Sequence, residues 1–420
     1  MVFQKQFDVV VIGGGPAGMM AAGRAAENGA SVILLEKNSR LGEKLLISGG
    51  GRCNLTNAEP DLHNFLAKYK EAAKFLYSPF SKFGVAETLQ FFHTRNMPTK
   101  IEDGNRVFPV SDRSQSVFDV LEGYMKDGGV VVQSRSVVAS IQAGEGLIAG
   151  VVLSDGTEIL GQRYILATGG KSHPETGSTG DGFRWLRAIG HTIIDPDPSL
   201  VPIRVKESWI KDLSGLSFDD AKCSLFQKRE KQMSRRGKLL FTHFGLSGPL
   251  ILNMSKDIGE SLKYGKTEVS VDFFPTVDIK TLDMKIQEVF SENLNKQIKN
   301  VLREIVVPLL VPVLIRLSSI DPEKEVNSVT KEERLAFVKL LKDFRLQVDG
   351  LLGPEKAIVT SGGVALQEVD FRSMQSRLYP NLFLVGDILN IDRPSGGYSL
   401  QLCFTTGYVA GDASALTKLK

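Results

Sequence analysis

Residues Phe7 to Glu36, FDVVVIGGGPAGMMAAGRAAENGASVILLE, constrain this chain more than any other stretch. They read as strand, glycine turn, helix and strand within about 30 residues, the length of one βαβ unit. Phe7 to Ile12 is a short apolar run bounded by glycine, the pattern of a strand buried on both faces. Gly13, Gly15 and Gly18 then give the G-x-G-x-x-G spacing. The first glycine permits a tight turn, the second lets the backbone approach a pyrophosphate, and the third lets helix and strand pack closely. Pro16 and Ala17 start the helix, where proline's missing N–H would have no partner anyway. Gly29 is the expected C-cap. The free N–H groups at the start of such a helix face phosphates. Glu36 closes the second strand, where a carboxylate accepts hydrogen bonds from both ribose hydroxyls of an adenosine. Strand, helix and terminal acid together make this a dinucleotide fingerprint, but it does not separate NAD from FAD.

The 420 residues are 42% hydrophobic and 24% charged, which suits two or three soluble domains. A net charge of only +3 calls for no polyanionic partner. The basic run Lys228 to Lys238 reads as a solvated hairpin tip, with an RNA contact as the alternative. Cys53, Cys223 and Cys403 are scattered and form no C-x-x-C pair, so neither a disulfide framework nor a zinc ribbon is expected. The N-terminus lacks the regions of a signal peptide. Val301 to Leu317 is interrupted by Arg303, Glu304 and Arg316 and broken by Pro308 and Pro312, so no membrane span is expected. The expected location is cytoplasmic.

Further along, Ser48-Gly49-Gly50-Gly51 precedes Arg52, Cys53 and Asn54. Three adjacent glycines suit a backbone that lies against a flat or charged ligand, with Lys44 and Arg52 offsetting phosphate charge. Asp61 to Asn96 reads as largely helical, and Gly104 to Pro109 as a turn leading to Ser111, the expected N-cap of a helix over Ser114 to Lys126. Val130 to Val132, Ser136 to Ile141, Gly150 to Leu153 and Thr157 to Leu160 suggest a small antiparallel meander. A buried strand, Tyr164 to Ala167, runs into Thr168, Gly169 and Gly170. Pro196 to Pro202 marks a domain boundary, followed by short strands to Phe274. One of them, Leu239 to Thr242, delivers His243 into a glycine-punctuated turn, where an active-site and a structural role are both open. Asp278 to Leu341 reads as nearly all helix, and Phe344 to Leu352 as a returning strand. Another buried strand ends at Gly386 and Asp387, whose carboxylate can accept hydrogen bonds from a polyol. Gly396, Gly397 and Tyr398 open a helix of small and apolar residues, whose N-terminus faces a partly negative group.

The blocks VIGGGPAG, KLLISGGGRCNLTN, YILATGG, TGDGF, FTHFGLSGP, VTSGGV and LFLVGDILNIDRPSGGYSLQ occur in that order. Together they resemble a family of bacterial NAD(P)/FAD-dependent oxidoreductases, whose members include aminoacetone oxidase and bile-acid dehydro-reductase. The resemblance implies an α/β, Rossmann-type FAD-binding domain of the glutathione-reductase-like kind, in two segments, 1–196 and 355–420. It implies an inserted β-barrel over 197–277 and 342–354, and a small helical insertion over 278–341. By the same resemblance, Gly13 to Gly18 hold the pyrophosphate and Glu36 the ribose, with Lys37 and Lys44 nearby. Gly49 to Asn54 lie along pyrophosphate and flavin. Val138 meets the adenine, with Ala167, Thr168 and Gly169 close by. Gly386 and Asp387 serve the ribityl chain. Gly396, Gly397, Tyr398, Ser399 and Leu400 serve the pyrimidine edge of the flavin. His243, Arg52 and Tyr398 are the expected catalytic side chains. The sequence departs from the family pattern at Asp392-Arg393-Pro394-Ser395, normally acidic and glycine-rich, and at Gln375, Asn390 and Ser399.

The expected function is hydride transfer between a small organic substrate and FAD. No second strand–G-x-G-x-x-G–helix unit is present, so oxygen or a transiently bound NAD(P)H is the other partner. The alternatives are a flavin-dependent RNA-modifying protein and a flavin-bound sensor without turnover.

Overall fold

The computed structural model describes residues 6–353 and 359–416. Strand β1 (Phe7–Ile12) pairs in parallel on both sides, which is why Val9 to Ile12 are apolar without alternation. Helix α1 (Pro16–Glu27) returns the chain to β2 (Val32–Leu35) on one side. Gly29, with φ 87°, stands two residues beyond the helix end and lets the chain turn into β2. Val131–Gln133 (β3) lies beyond β2, and Gly161–Leu166 (β4) lies on the other side of β1. Leu382–Leu384 (β5) follows β4. Two short antiparallel strands, Val369–Asp370 and Gln375–Ser376, complete the seven-stranded sheet. Helix α2 (Tyr398–Leu416) is the last described element. In such a sheet, ligands bind at the carboxyl ends of the strands. Here those ends carry Gly13, Glu36, Ala167 and Gly386.

Several local expectations need correction. Val131–Gln133, expected in the antiparallel meander, is instead the parallel edge of the main sheet. The meander itself is three-stranded: Val138–Gly144, Leu147–Leu153 and Glu158–Ile159. The stretch read as a turn before Ser111 contains the strand Arg106–Pro109, paired with Thr56–Asn57 and Thr99–Glu102. Ser111 does not cap the following helix. Arg113 takes the cap position, and the Ser111 hydroxyl meets that of Ser116 at 2.8 Å.

The chain divides into two compact units, residues 1–199 with 357–420, and residues 200–356. In the second unit a closed six-stranded barrel runs, in spatial order, Ile203–Val205, Gly245–Ser247, Glu230–Thr242, Ser217–Gln227, Thr267–Asp272 and Phe344–Leu351. The basic run lies mostly along one of these strands. Only Lys228 and Arg229 form the turn, both at positive φ. The helices of 278–341 include Ile279–Glu292 and Lys331–Lys342. Their starts are capped by side chains: Asp278 accepts from Thr281 N at 2.8 Å, and Thr330 forms a capping box with Glu333. Leu282, Ile286, Phe337 and Leu341 from these helices share one hydrophobic cluster with Phe241, Val269 and Phe344 of the barrel. Among the described residues, no helix is long and apolar enough to cross a membrane.

In the first unit a buried polar clasp ties the segment leading to β5 to the rest of the fold. Ser376 Oγ accepts from Leu378 N and Tyr379 N, both at 3.1 Å, so its proton is left for His191 Nε2 at 3.0 Å. The other ring nitrogen, Nδ1, therefore carries the proton and donates to Glu368 at 2.7 Å. Burial pulls the His191 pKa down, and Glu368 opposes this only partly. Protonating the ring would also break its bond from Ser376. A histidine depressed in the folded state adds stability above its unfolded pKa, and that stability is lost as pH falls through the folded value. Lowering the pH from about 7 to about 5 should therefore reduce Tm more in the wild type than in His191→Gln. Thermal melts of both across that range provide the check.

Candidate functional site

Helix α1 begins at Pro16 with Gly15 in the cap position, and no side chain caps it. Its first N–H groups are thus left for water or a ligand. The turn before it is closed by backbone contact. A Cβ on Gly18 would run into the Gly13 carbonyl oxygen, and one on Gly13 (φ 106°) would lie 2.5 Å from Ala167 O. The end of β4 is therefore pressed against the turn, and Ala167 N donates to Ile12 O at 2.9 Å. A Cβ on Gly15 would meet nothing within 4 Å, so the turn has an open side.

Glu36 is nearly buried and its carboxylate is held at both oxygens. Oε2 accepts from Gly14 N and Oε1 from Asn38 N, each at 2.8 Å. Each carboxylate oxygen retains further acceptor capacity. Ser136 N donates to Glu36 O at 2.8 Å, which carries the start of the Val138 strand to the same place. Thr168 Oγ1 is buried with no partner among the described residues. Lys37 is drawn aside, its Nζ 2.5 Å from Thr179 Oγ1 and 3.1 Å from Asp181.

Gly49, Gly50 and Gly51 have φ of 58°, 68° and 84°, a run of left-handed residues that side chains would strain. Arg52 then points into a charged cluster. Its guanidinium binds Glu102 and Asp112 and lies 4.2 Å over the Phe108 ring, while Lys100 shares both acids. This cation is engaged by protein carboxylates. Cys53 is completely buried, and burial pushes its thiol up to about 12. Asn54, with its amide turned so that Nδ2 donates to Val107 O and Thr56 O, accepts from Gly397 N at 3.0 Å.

The C-terminal strand end reaches the same region. A Cβ on Gly386 would lie 3.1 Å from Ala17 Cβ, so Asp387 follows directly beside the start of α1. Arg393 binds Asp387 Oδ1, and Lys44 Nζ lies 3.8 Å from Oδ2. Burial pushes the Asp387 carboxyl up, but the charges of Arg393 and Lys44 outweigh it and hold the group below its usual range. Burial pulls the Lys44 ammonium down, and its Nζ donates to Ser172 Oγ at 2.6 Å. Gly397 packs on the Thr56 backbone, and Asn57 Nδ2 donates to Gly396 O at 3.2 Å. Ser399 and Leu400 are half-buried in the first turn of α2.

Two further expected catalytic side chains have the following surroundings, each within its own unit. The Tyr398 ring packs 4.9 Å from Phe65 and 6.0 Å from Tyr69 and is nearly buried, and burial raises its pKa. His243 belongs to the second unit, exposed in the two-residue turn between Glu230–Thr242 and Gly245–Ser247, with its ring 4.9 Å from that of Phe244. Arg393 is the residue of the cluster that received no role from sequence. Its signal was a lone arginine in a glycine-rich apolar stretch between Asp387 and Ser399.

This donor set fits FAD. It comprises an uncapped helix start over a side-chain-free turn, a buried acid with spare lone pairs, a Thr168 hydroxyl without a partner among the described residues and a second helix N-terminus beside Asp387. The matching family model, HI0933-like protein Rossmann domain, spans residues 7–413, and the chain belongs to that family. The chain is 31% identical over 413 residues to a 3-dehydro-bile acid delta(4,6)-reductase of Clostridium scindens, covering 96% of this chain and 98% of that one. It is 28% identical over 407 residues to a ribosomal RNA dihydrouridine synthase of Escherichia coli K12, covering 96% and 97%. Among solved structures it resembles the 3-ketosteroid-delta4-(5alpha)-dehydrogenase of Rhodococcus jostii RHA1, with TM-score 0.56, 16% identity and 98% and 97% coverage. The fold is thus the Rossmann-type FAD-binding one, and the chain is a flavin-dependent oxidoreductase.

A buried, protonated thiol has no nucleophilic work at neutral pH. Cys53→Ser should keep kcat within about tenfold of wild type, roughly 1.4 kcal/mol in barrier. Steady-state flavin turnover measures it, and a larger loss would restore a thiol role.

Proposed function

We propose that the chain reduces a carbon–carbon double bond conjugated to a carbonyl, using FAD. The observation that carries this reading is the pair of nearly full-length relatives. One is named for reducing delta(4,6) unsaturation in a 3-dehydro bile acid, the other for making dihydrouridine. The substrates differ greatly in size, but both names describe saturation of an alkene activated by a conjugated carbonyl. FAD, when bound and reduced, supplies the hydride.

The chain's own residues would do the rest. Gly13, Gly15, Gly18 and the start of α1 bind the pyrophosphate, and Glu36 accepts from the ribose hydroxyls. The Val138 strand and Ala167 to Gly169 border the adenine. The backbone of Gly49 to Asn54 would hold the pyrophosphate and flavin. Asp387 accepts from the ribityl chain, and Gly397 to Leu400 face the pyrimidine edge. In the overall balance, hydride adds to the alkene carbon remote from the carbonyl and a proton to the adjacent carbon. A reduced nicotinamide that visits transiently supplies the electron pair.

A steroid-like or other small enone is favoured over RNA as substrate. In the basic run, Arg236 is bound by Asp220, Lys238 lies 2.7 Å from Asp219, and Arg235 lies 3.6 Å from Asp257. These cations are already offset, which weakens the electrostatic term that RNA binding relies on. The test is anaerobic. NADPH should bleach the flavin, and a 3-oxo-delta4 steroid should restore its colour and emerge saturated. Recovery with a uridine-containing ribosomal RNA fragment alone would move the assignment to RNA. Recovery with oxygen alone would refute the enone reading.

A further inference from the structure

Arg393 has a wholly buried side chain. Its Nη2 donates to Asp387 Oδ1, its Nη1 to Ile391 O at 2.8 Å, and its Nε to Ser399 Oγ at 3.0 Å. A guanidinium has no acceptor atom and stays charged. The Ser399 oxygen must therefore accept from Arg393, which leaves the Ser399 hydroxyl proton for a partner elsewhere. Ser399 lies in the first turn of a 19-residue helix, and the N-terminal end of such a helix is partly positive.

Lys44 and Arg393 both face the Asp387 carboxylate, and the charge of Glu175 acts on Lys44 as well. Arg393 keeps its charge in buried surroundings, bonded to a residue in the first turn of α2, where an added negative group would be stabilised. The FAD reading above places such a group there: the flavin ring gains negative charge on its pyrimidine side when reduced. Arg393 is too deeply buried to touch it, so its effect passes through Ser399, Asp387 and the field of its own charge.

We propose that Arg393 is a positioning residue that makes Ser399 an obligate donor to the flavin and raises the flavin's reduction potential. This rests on the FAD assignment, and the test separates the two. Wild type, Arg393→Met, Arg393→Lys and Ser399→Ala are loaded with FAD, and flavin content, sulfite affinity and midpoint potential are measured. Sulfite adds to oxidised flavin and, like reduction, loads negative charge onto the ring.

Arg393→Met should weaken sulfite binding at least about tenfold. It should lower the midpoint by about 30 mV for each tenfold loss of preference for reduced over oxidised flavin. Arg393→Lys should recover most of both. Ser399→Ala, which keeps the charge and loses the donor, should weaken sulfite binding about threefold. FAD-replete Arg393→Met with wild-type sulfite affinity and potential overturns the proposal. If Arg393→Met takes up no FAD, Ser399→Ala decides, and unchanged sulfite affinity there overturns it. Wild-type protein that takes up no FAD would remove the FAD reading itself.

Discussion

Helix α1 is held at backbone contact from two sides, and the site depends on that thinness. A Cβ on Gly18 would strike the Gly13 carbonyl, while Cβ atoms on Gly407 and Gly411 of α2 would strike the carbonyls of Ala17 and Ala21. No ordinary side chain fits at these positions without moving the backbone. Because α2 lies so close to α1, the segment before it brings Gly386 and Asp387 to the turn that starts α1. Residues more than 370 positions apart in sequence, such as Gly13 and Asp387, are thereby brought together.

Two charged clusters of the first unit differ in kind. Arg52, Lys100, Glu102 and Asp112 neutralise one another and clamp the glycine run to the Thr99–Glu102 and Arg106–Pro109 strands. Lys44 and Arg393 both bear on Asp387, the Arg393 side chain wholly buried and that of Lys44 partly exposed. The first cluster holds a loop, while the second stands beside the first turn of α2, where Arg393 donates to Ser399. Buried ion pairs are weak evidence for stability but strong determinants of local charge.

The βαβ unit was legible because each of its residues answers a local constraint: apolar strand, glycine turn, terminal acid. Glu36, Gly386 and Asp387 follow the same logic, since strand ends can be read from short apolar runs. The destination of Arg52 could not be read that way. Its partners, Glu102 and Asp112, lie 50 and 60 positions away, and phosphate and carboxylate attract the same cation. Val131–Gln133 was misplaced because three residues carry no periodicity that separates a parallel edge from a hairpin. Arg393 stood out as a departure, but its role needs the folded positions of Asp387 and Ser399. Tyr398 stands in sequence among residues proposed for the flavin edge, yet its ring packs on Phe65 and Tyr69.

The most direct measurement is a titration of flavin-stripped protein with FAD, followed by visible absorbance and by quenching of free-flavin fluorescence. The account predicts saturation at one FAD per chain, with loss of tight binding in Gly18→Val. Absence of saturable uptake, or undiminished uptake by a folded Gly18→Val variant, would contradict it.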